Sequence, residues 1–254
     1  MAPWARAKAA LTLLAIDPAG LRGLWLRARS GPVRDRLTAA FTHLPLPLRR
    51  MHPGVADDAL YGGVDLAATL ASGHAVRARG ILDARAAVVL AMAERCPPGL
   101  AVRLGQWLDT RGSCVIALDE GAEADETPPH PLTDRLGLFV DLSDIAWSEA
   151  TDLALDDTKL AAARERLDYI TTPPEALETL TRLAARLGIA SLRAPLLAVA
   201  AARASAAWRA VDTVAEPDLR LAADLIYAHR ALPEAEYDQP PPEDDTPPPP
   251  PPPG

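Results

Sequence analysis

The chain predicts an α/β fold, a three-layer parallel-sheet core followed by a small all-helical domain. Three observations carry this. Five short runs rich in β-branched and apolar residues recur through the first 157 residues, most of them separated by helix-like stretches, and alternation of that kind argues a parallel sheet covered by helices. The strand-like runs stop after about Asp157. From there to residue 232 only helical periodicity remains.

In chain order, Trp4, Arg6 and Lys8 lead into Ala9-Ala10-Leu11-Thr12-Leu13-Leu14 and predict an amphipathic helix, not a signal peptide. The strands are expected at Leu24–Arg27, Leu48–Met51, Ala87–Met92, Cys114–Leu118 and Leu138–Leu142. Lys159–Ile170 is the first helix of the second half. Pro173-Pro174-Glu175 then opens another, with proline in its first turn, and Gly188 is its stop signal. Leu192–Trp208 and Pro217–Arg230 follow, and in the latter Leu219, Ala222, Leu225 and Ile226 share one apolar stripe. These boundaries divide the chain into an α/β core at 1–157, a helical domain at 158–232 and an acidic, proline-rich segment at 233–254.

That last segment holds eleven prolines and six acidic residues without a lysine or arginine. Such composition cannot build a core and is expected to act as a disordered, extended linker. Ending inside a proline run, the chain is expected to be the front part of something longer. Of the net charge of −8, the segment supplies six units, so the body is close to neutral. A near-neutral body lacks the basic face that nucleic-acid binding requires. No apolar run reaches the roughly 18–20 residues of a membrane span, and the chain is expected in the cytoplasm. Cys96 and Cys114 have no metal-ligand spacing and read as small buried hydrophobes. The five histidines give no metal-binding pattern, and His52 and His74 are expected in loops.

The chemistry lies in the order of five landmarks. Leu24-Trp25-Leu26 runs into Ala28-Arg29-Ser30-Gly31-Pro32-Val33-Arg34-Asp35, at the place and length of a Gly-x-x-x-x-Gly-Lys-Ser/Thr phosphate loop. Ala28 and Val33 stand where glycines would free backbone N–H groups for phosphates. Arg34 replaces the lysine, and Asp35 puts a carboxylate in place of the Mg²⁺-binding hydroxyl. The second landmark, Val88-Val89-Leu90-Ala91-Met92-Ala93-Glu94, is a strand that would end in Asp-Glu in an ATPase. Ala93 takes the aspartate's place, and Glu94 has no metal-bound nucleotide to serve. Third, Cys114 to Gly121 brings Glu120, or alternatively Asp119, to the position of a γ-phosphate-sensing asparagine, where a carboxylate would repel phosphate. Fourth, Leu132-Thr133-Asp134-Arg135-Leu136-Gly137-Leu138 fits an arginine finger, a task suited to a permanently charged planar fork. Its plain alternative is a surface Asp134–Arg135 pair. Fifth, Ser191-Leu192-Arg193-Ala194-Pro195 opens a helix in the second half.

In this order the landmarks resemble an AAA+ core with its lid, and specifically the N-terminal module of magnesium-chelatase D subunits. Ile16-Asp17-Pro18, His52-Pro53-Gly54-Val55, Gly62-Gly63-Val64-Asp65-Leu66 and Gly80-Ile81-Leu82 carry the likeness further, the latter two framing an inserted hairpin or helix. The resemblance spans residues 5–232 and continues into the acidic linker. It implies a subunit that does not hydrolyse ATP and serves as an assembly platform for the ATPase I subunit. The reaction would be ATP-dependent insertion of Mg²⁺ into protoporphyrin IX, on a porphyrin-binding H subunit. Arg135 would then be a finger acting in trans, Arg193 a sensor-2-like partner, and Arg34, Asp35, Ala93, Glu94 and Glu120 a degenerate nucleotide site. No cofactor is expected on this module; ATP and Mg²⁺ would be used through the I subunit of a hetero-oligomeric ring. Two other readings stay open here: an active AAA+ ATPase with an atypical phosphate loop, and a helical interaction protein of other ancestry.

Overall fold

The computed structural model describes residues 1–123 and 125–232. The linker expectation falls on residues 233–254 and so lies outside the described residues. Five strands, β1 (Gly23–Arg27), β2 (Leu48–Met51), β3 (Ala87–Leu90), β4 (Cys114–Asp119) and β5 (Leu138–Asp141), form one sheet in the order β2-β3-β4-β1-β5. Every pairing is parallel, with Leu24 opposite Ile116 on one side and Leu138 on the other. This sheet excludes a purely helical interaction protein. The chain leaves β1 between β4 and β5, the point where strand order reverses and open α/β sheets place their ligand crevice.

Residues alternate between two apolar faces, as the period of two requires. Leu24, Leu26, Val89, Ile116 and Val140 face helix α1 (Pro3–Ile16) and the helical domain. Val88, Leu90, Val115 and Ala117 instead face the helix at Pro98–Arg111. The N-terminal helix departs from expectation. From Ala10 to Ile16 every residue is buried, so it is a core helix wedged between sheet and lid and not an amphipathic surface one.

Short α2 (Pro18–Leu21) precedes β1, and α3 (Pro32–Ala39), α4 (Asp57–Tyr61) and α5 (Leu66–Ser72) lie between β1 and β3. The insertion anticipated around Gly62 and Gly80 is present, pinned by an antiparallel bridge between Val64 and Arg77. At its neck Gly62 has φ 77°, and a Cβ there would stand 2.2 Å from the Ala78 carbonyl oxygen, so this crossing needs glycine. After β3 come α6 (Pro98–Arg111) and, before β5, the single turn α7 (His130–Thr133).

The helical domain comprises α8 (Asp157–Leu167), α9 (Pro174–Arg186), α10 (Arg193–Trp208) and α11 (Glu216–Tyr227). Alanines 194, 198, 201, 202, 204, 206 and 207 let α10 lie close to its neighbours, with all seven buried. Buried Asp218 caps α11. Its carboxylate accepts from Arg209, Ser205 and the Ala215 backbone N–H, and these contacts outweigh burial to hold it below the usual carboxylate range. Core and lid share one hydrophobic cluster, and Arg230 crosses to donate to the Leu136 carbonyl at 2.6 Å. Cys96 and Cys114 are buried as expected, and burial raises their thiols to about 11 and about 12. His52 and His74 sit in exposed loops.

Candidate functional site

Because all five strands run the same way, the sheet has two chemically distinct edges. Residues that follow strands gather at the carboxyl edge; residues that precede them gather at the other. The degenerate landmarks at 28–35, 93–94 and 119–120 all follow strands. Arg135 precedes β5 and is therefore at the opposite edge, where Arg193 joins it.

At the carboxyl edge the phosphate loop closes on itself. Arg34 donates from Nη1 to Glu120 Oε1 at 2.5 Å and from Nη2 to Ser30 Oγ at 2.7 Å, with its side chain 12% exposed. Glu94 Oε2 accepts the backbone N–H of Glu120 at 3.0 Å and is thereby held between the ends of β3 and β4. Asp35 is exposed in the first turn of α3, where a negative charge complements the helix dipole. Ala93 is fully buried beside Met51, Leu60 and Leu90. Asp119 and Glu120 point to different partners. Asp119 is buried and accepts from Trp25 Nε1 at 2.8 Å and the Gly121 N–H at 2.9 Å, whereas Glu120 turns to Arg34. Arg34, at the lysine position, is thus paired with a carboxylate, whereas Arg29 in the same loop is exposed.

At the opposite edge Arg135 is not in the surface pair with Asp134 that its sequence neighbour suggested. Its Nε and Nη2 both lie 3.0 Å from Asp109 Oδ2, and Nη1 donates to the Pro131 carbonyl at 2.7 Å. The side chain is 18% exposed. It lies flat on α6 at Gly105, where a Cβ would come within 3.0 Å of Nε. Asp134 instead accepts from Arg193 Nη1 at 3.1 Å and from Ser191 Oγ at 2.5 Å. Arg193 begins α10 as anticipated, and its Nη2 lies 4.0 Å from Asp109. Asp109 also accepts from Arg22. Burial pushes the Asp109 carboxyl up, but bonds and charges from Arg135 and Arg22 outweigh it and hold the group below its ordinary value.

Sequence reasoning missed Asp109 and Arg22. A signal existed at Gly105, a glycine in mid-helix, where glycine costs about 1 kcal/mol against alanine unless something needs the space.

A cleft of about 490 Å³ opens between core and lid, lined in part by Trp25, Asp134, Ser191 and His229. Trp25, Phe139 and His229 pack in series, with Trp25 and Phe139 centroids 4.5 Å apart and Phe139 and His229 5.0 Å. Burial lowers His229 to about 3, helped by Arg230 and Arg6, so its ring is neutral. Among the described residues, no group of three or more His, Cys, Asp or Glu side chains is placed to hold a metal ion, and no helix is long and apolar enough to cross a membrane.

The family model of the AAA lid domain matches residues 177–250. The magnesium-chelatase 60 kDa subunit of Cereibacter sphaeroides is 61% identical over 94% of this chain and 43% of that protein. The subunit of the same name from Rhodobacter capsulatus is 47% identical over 92% of this chain and 42% of that protein. The chain thus spans less than half the length of the curated relatives it matches. Among solved structures, a candidate ATPase from Cytophaga hutchinsonii superposes with a TM-score of 0.67 at 16% identity, covering 89% of this chain and 83% of that one. An MCM homologue from Methanopyrus kandleri gives 0.60 at 16% identity, covering 89% and 55%. These two likenesses speak for the fold alone. With an AAA+ core and lid, and with sequence likeness running along nearly its whole length, the chain belongs to the family of the magnesium-chelatase 60 kDa subunits.

Proposed function

We propose that this chain is the non-hydrolysing AAA+ part of a magnesium-chelatase subunit, acting as an assembly platform for the ATPase I subunit. The complex would insert Mg²⁺ into protoporphyrin IX at the expense of ATP, on a porphyrin-binding H subunit, in the cytoplasm. One observation carries the reading: Arg34 and Glu120 close the chain's own cradle, while Arg135 and Arg193 stand at the other edge of a parallel sheet. Four residues of β5 separate the edges by roughly 13 Å at 3.3 Å per residue. Arginines so placed are turned away from their own cradle, and a neighbour's nucleotide would meet them as an anion competing with Asp109 and Asp134. The module's contribution is then made at a subunit boundary, with the phosphate loop and Mg²⁺ supplied by the I subunit. An active ATPase with an atypical loop is disfavoured by the same Arg34–Glu120 closure, which ties the residue at the lysine position to a carboxylate.

The test is to mix the chain with an I subunit and ATP-Mg²⁺ and to size the product while following phosphate release by each component. Nucleotide-dependent co-assembly with no turnover by this chain alone is expected. Turnover by the isolated chain that disappears in Glu94→Gln would overturn the reading.

A further inference from the structure

We infer that Arg22 is a third phosphate-directed guanidinium beside Arg135 and Arg193, and that Asp109 is the positioning residue that holds Arg22 and Arg135 together next to Arg193, toward a terminal phosphate presented by a neighbouring subunit. The inference rests on the platform reading and adds two residues to it.

The first observation is backbone strain. Arg22 caps α2 in the left-handed region, with φ 62° and ψ −14°. That position favours glycine, because an L side chain there crowds the following carbonyl. Strain of this kind persists where the surroundings hold the residue in place, and an observed outlier is grounds for asking what it serves. Here the side chain that makes the strain costly is directed to the Asp109 carboxylate.

The second observation is the geometry of the hub. Asp109 Oδ1 receives Arg22 and Oδ2 receives Arg135 at 3.0 Å, with Arg193 4.0 Å away. These three guanidinium groups face two carboxylates, Asp109 and Asp134, so the set carries one uncompensated positive charge, and Arg230 adds a further cation near Asp134. Arg22 is 31% exposed and Arg193 43%, which leaves the cluster open to solvent. Planar forks converging from α2, the α7–β5 turn and α10 suit an anion with several oxygens, which phosphate offers and a single carboxylate only partly matches. Without Asp109 the three cations would repel one another and splay.

A purely structural hub would staple α6 to the segments before β1 and β5 and do nothing else. The two roles separate experimentally. The full-length subunit is mixed with the ATPase partner subunit, ATP-Mg²⁺ is titrated, and the concentration giving half-maximal assembly is read by sedimentation alongside the thermal midpoint of each variant. Arg22→Gly relieves the backbone while removing the charge. It is expected to leave the midpoint unchanged or raised, yet to raise the required ATP roughly tenfold, as loss of one charge-assisted contact does. Asp109→Asn is expected to weaken assembly at least as much. Neither change should add to Arg135→Ala, since interacting residues are non-additive. Wild-type assembly by Arg22→Gly, or an Asp109→Asn loss that adds in full to that of Arg135→Ala, overturns the inference while the platform reading stands. If Arg135→Ala itself assembles normally, the platform reading fails and this inference with it. Should Asp109→Asn not fold, Arg22→Gly decides alone.

Discussion

The Arg34 guanidinium lies 2.5 Å from the Glu120 carboxylate, joining the loop after β1 to the end of β4. The contact neutralises the cation that would otherwise meet phosphate, and it places two substitutions, each unfavourable to nucleotide, in direct compensation.

Arg34→Ala is expected to cost about 1 kcal/mol, because the pair is partly exposed on the Glu120 side and such bridges contribute little. It should not create nucleotide binding, since Glu94 and Glu120 remain as carboxylates facing the cradle. Denaturant unfolding and equilibrium dialysis with ATP check both halves. Tight ATP binding by this variant would show that the closure, and not the residue content, silences the site.

Ala93→Asp restores in name alone the aspartate of the strand-end Asp-Glu pair. Ala93 is fully buried among apolar side chains, so the new carboxylate would be desolvated without a partner, at a cost of roughly 2–4 kcal/mol. The urea midpoint should fall clearly, with ATP turnover still at background. An unchanged midpoint would mean that this position opens to solvent.

Arg135→Ala should leave the chain folded but lower its stability by about 1–2 kcal/mol, through loss of charge-assisted bonds to Asp109 and the Pro131 carbonyl. In the mixed complex the loss of turnover could reach about 10³-fold where the finger acts directly on hydrolysis, and a ring with other intact sites would dilute it. Arg135→Lys should lose nearly as much, because lysine keeps the charge but not the fork. Full activity of both variants would reduce Arg135 to a structural role.

His229 makes stability depend on pH. Its folded value is depressed to about 3 from 6.5 by burial, Arg230 and Arg6. Below 6.5 the unfolded chain takes up a proton that the folded chain refuses, so stability is full above that pH and falls as pH drops toward 3. The slope is at most about 1.4 kcal/mol per pH unit. Asp109 and Asp218, with lowered carboxyl values, add acid sensitivity only below the carboxylate range, and Asp17, whose carboxyl burial raises, opposes the His229 effect as pH falls. Urea midpoints at pH 7.5 and 5.0 should differ for the native chain and converge for His229→Phe. Equal differences in both would assign the effect elsewhere.

By itself the sequence determined the five strands, four of the lid helices and the character of the degenerate loop. These are set by local periodicity, by turn residues and by the chemical type of a side chain, all readable over a few neighbouring positions. The phosphate-loop substitutions at Arg34 and Asp35 and the apolar Ala93 were legible because nucleotide chemistry demands particular residues at particular spacings. Tertiary structure alone decided the rest. Strand alternation turned Glu120 toward Arg34 and hid Asp119 behind Trp25. The parallel sheet divided the landmarks between two edges, and its packing buried the N-terminal helix on nearly all sides. Asp109 and Arg22, 87 residues apart in the chain, meet because α6 runs back to the edge where β1 begins. Arg135 and Asp134, adjacent in sequence, take different partners because one lies on α6 and the other faces the lid. Contact across such distances depends on the direction of strands and the seating of helices, and local sequence carries neither.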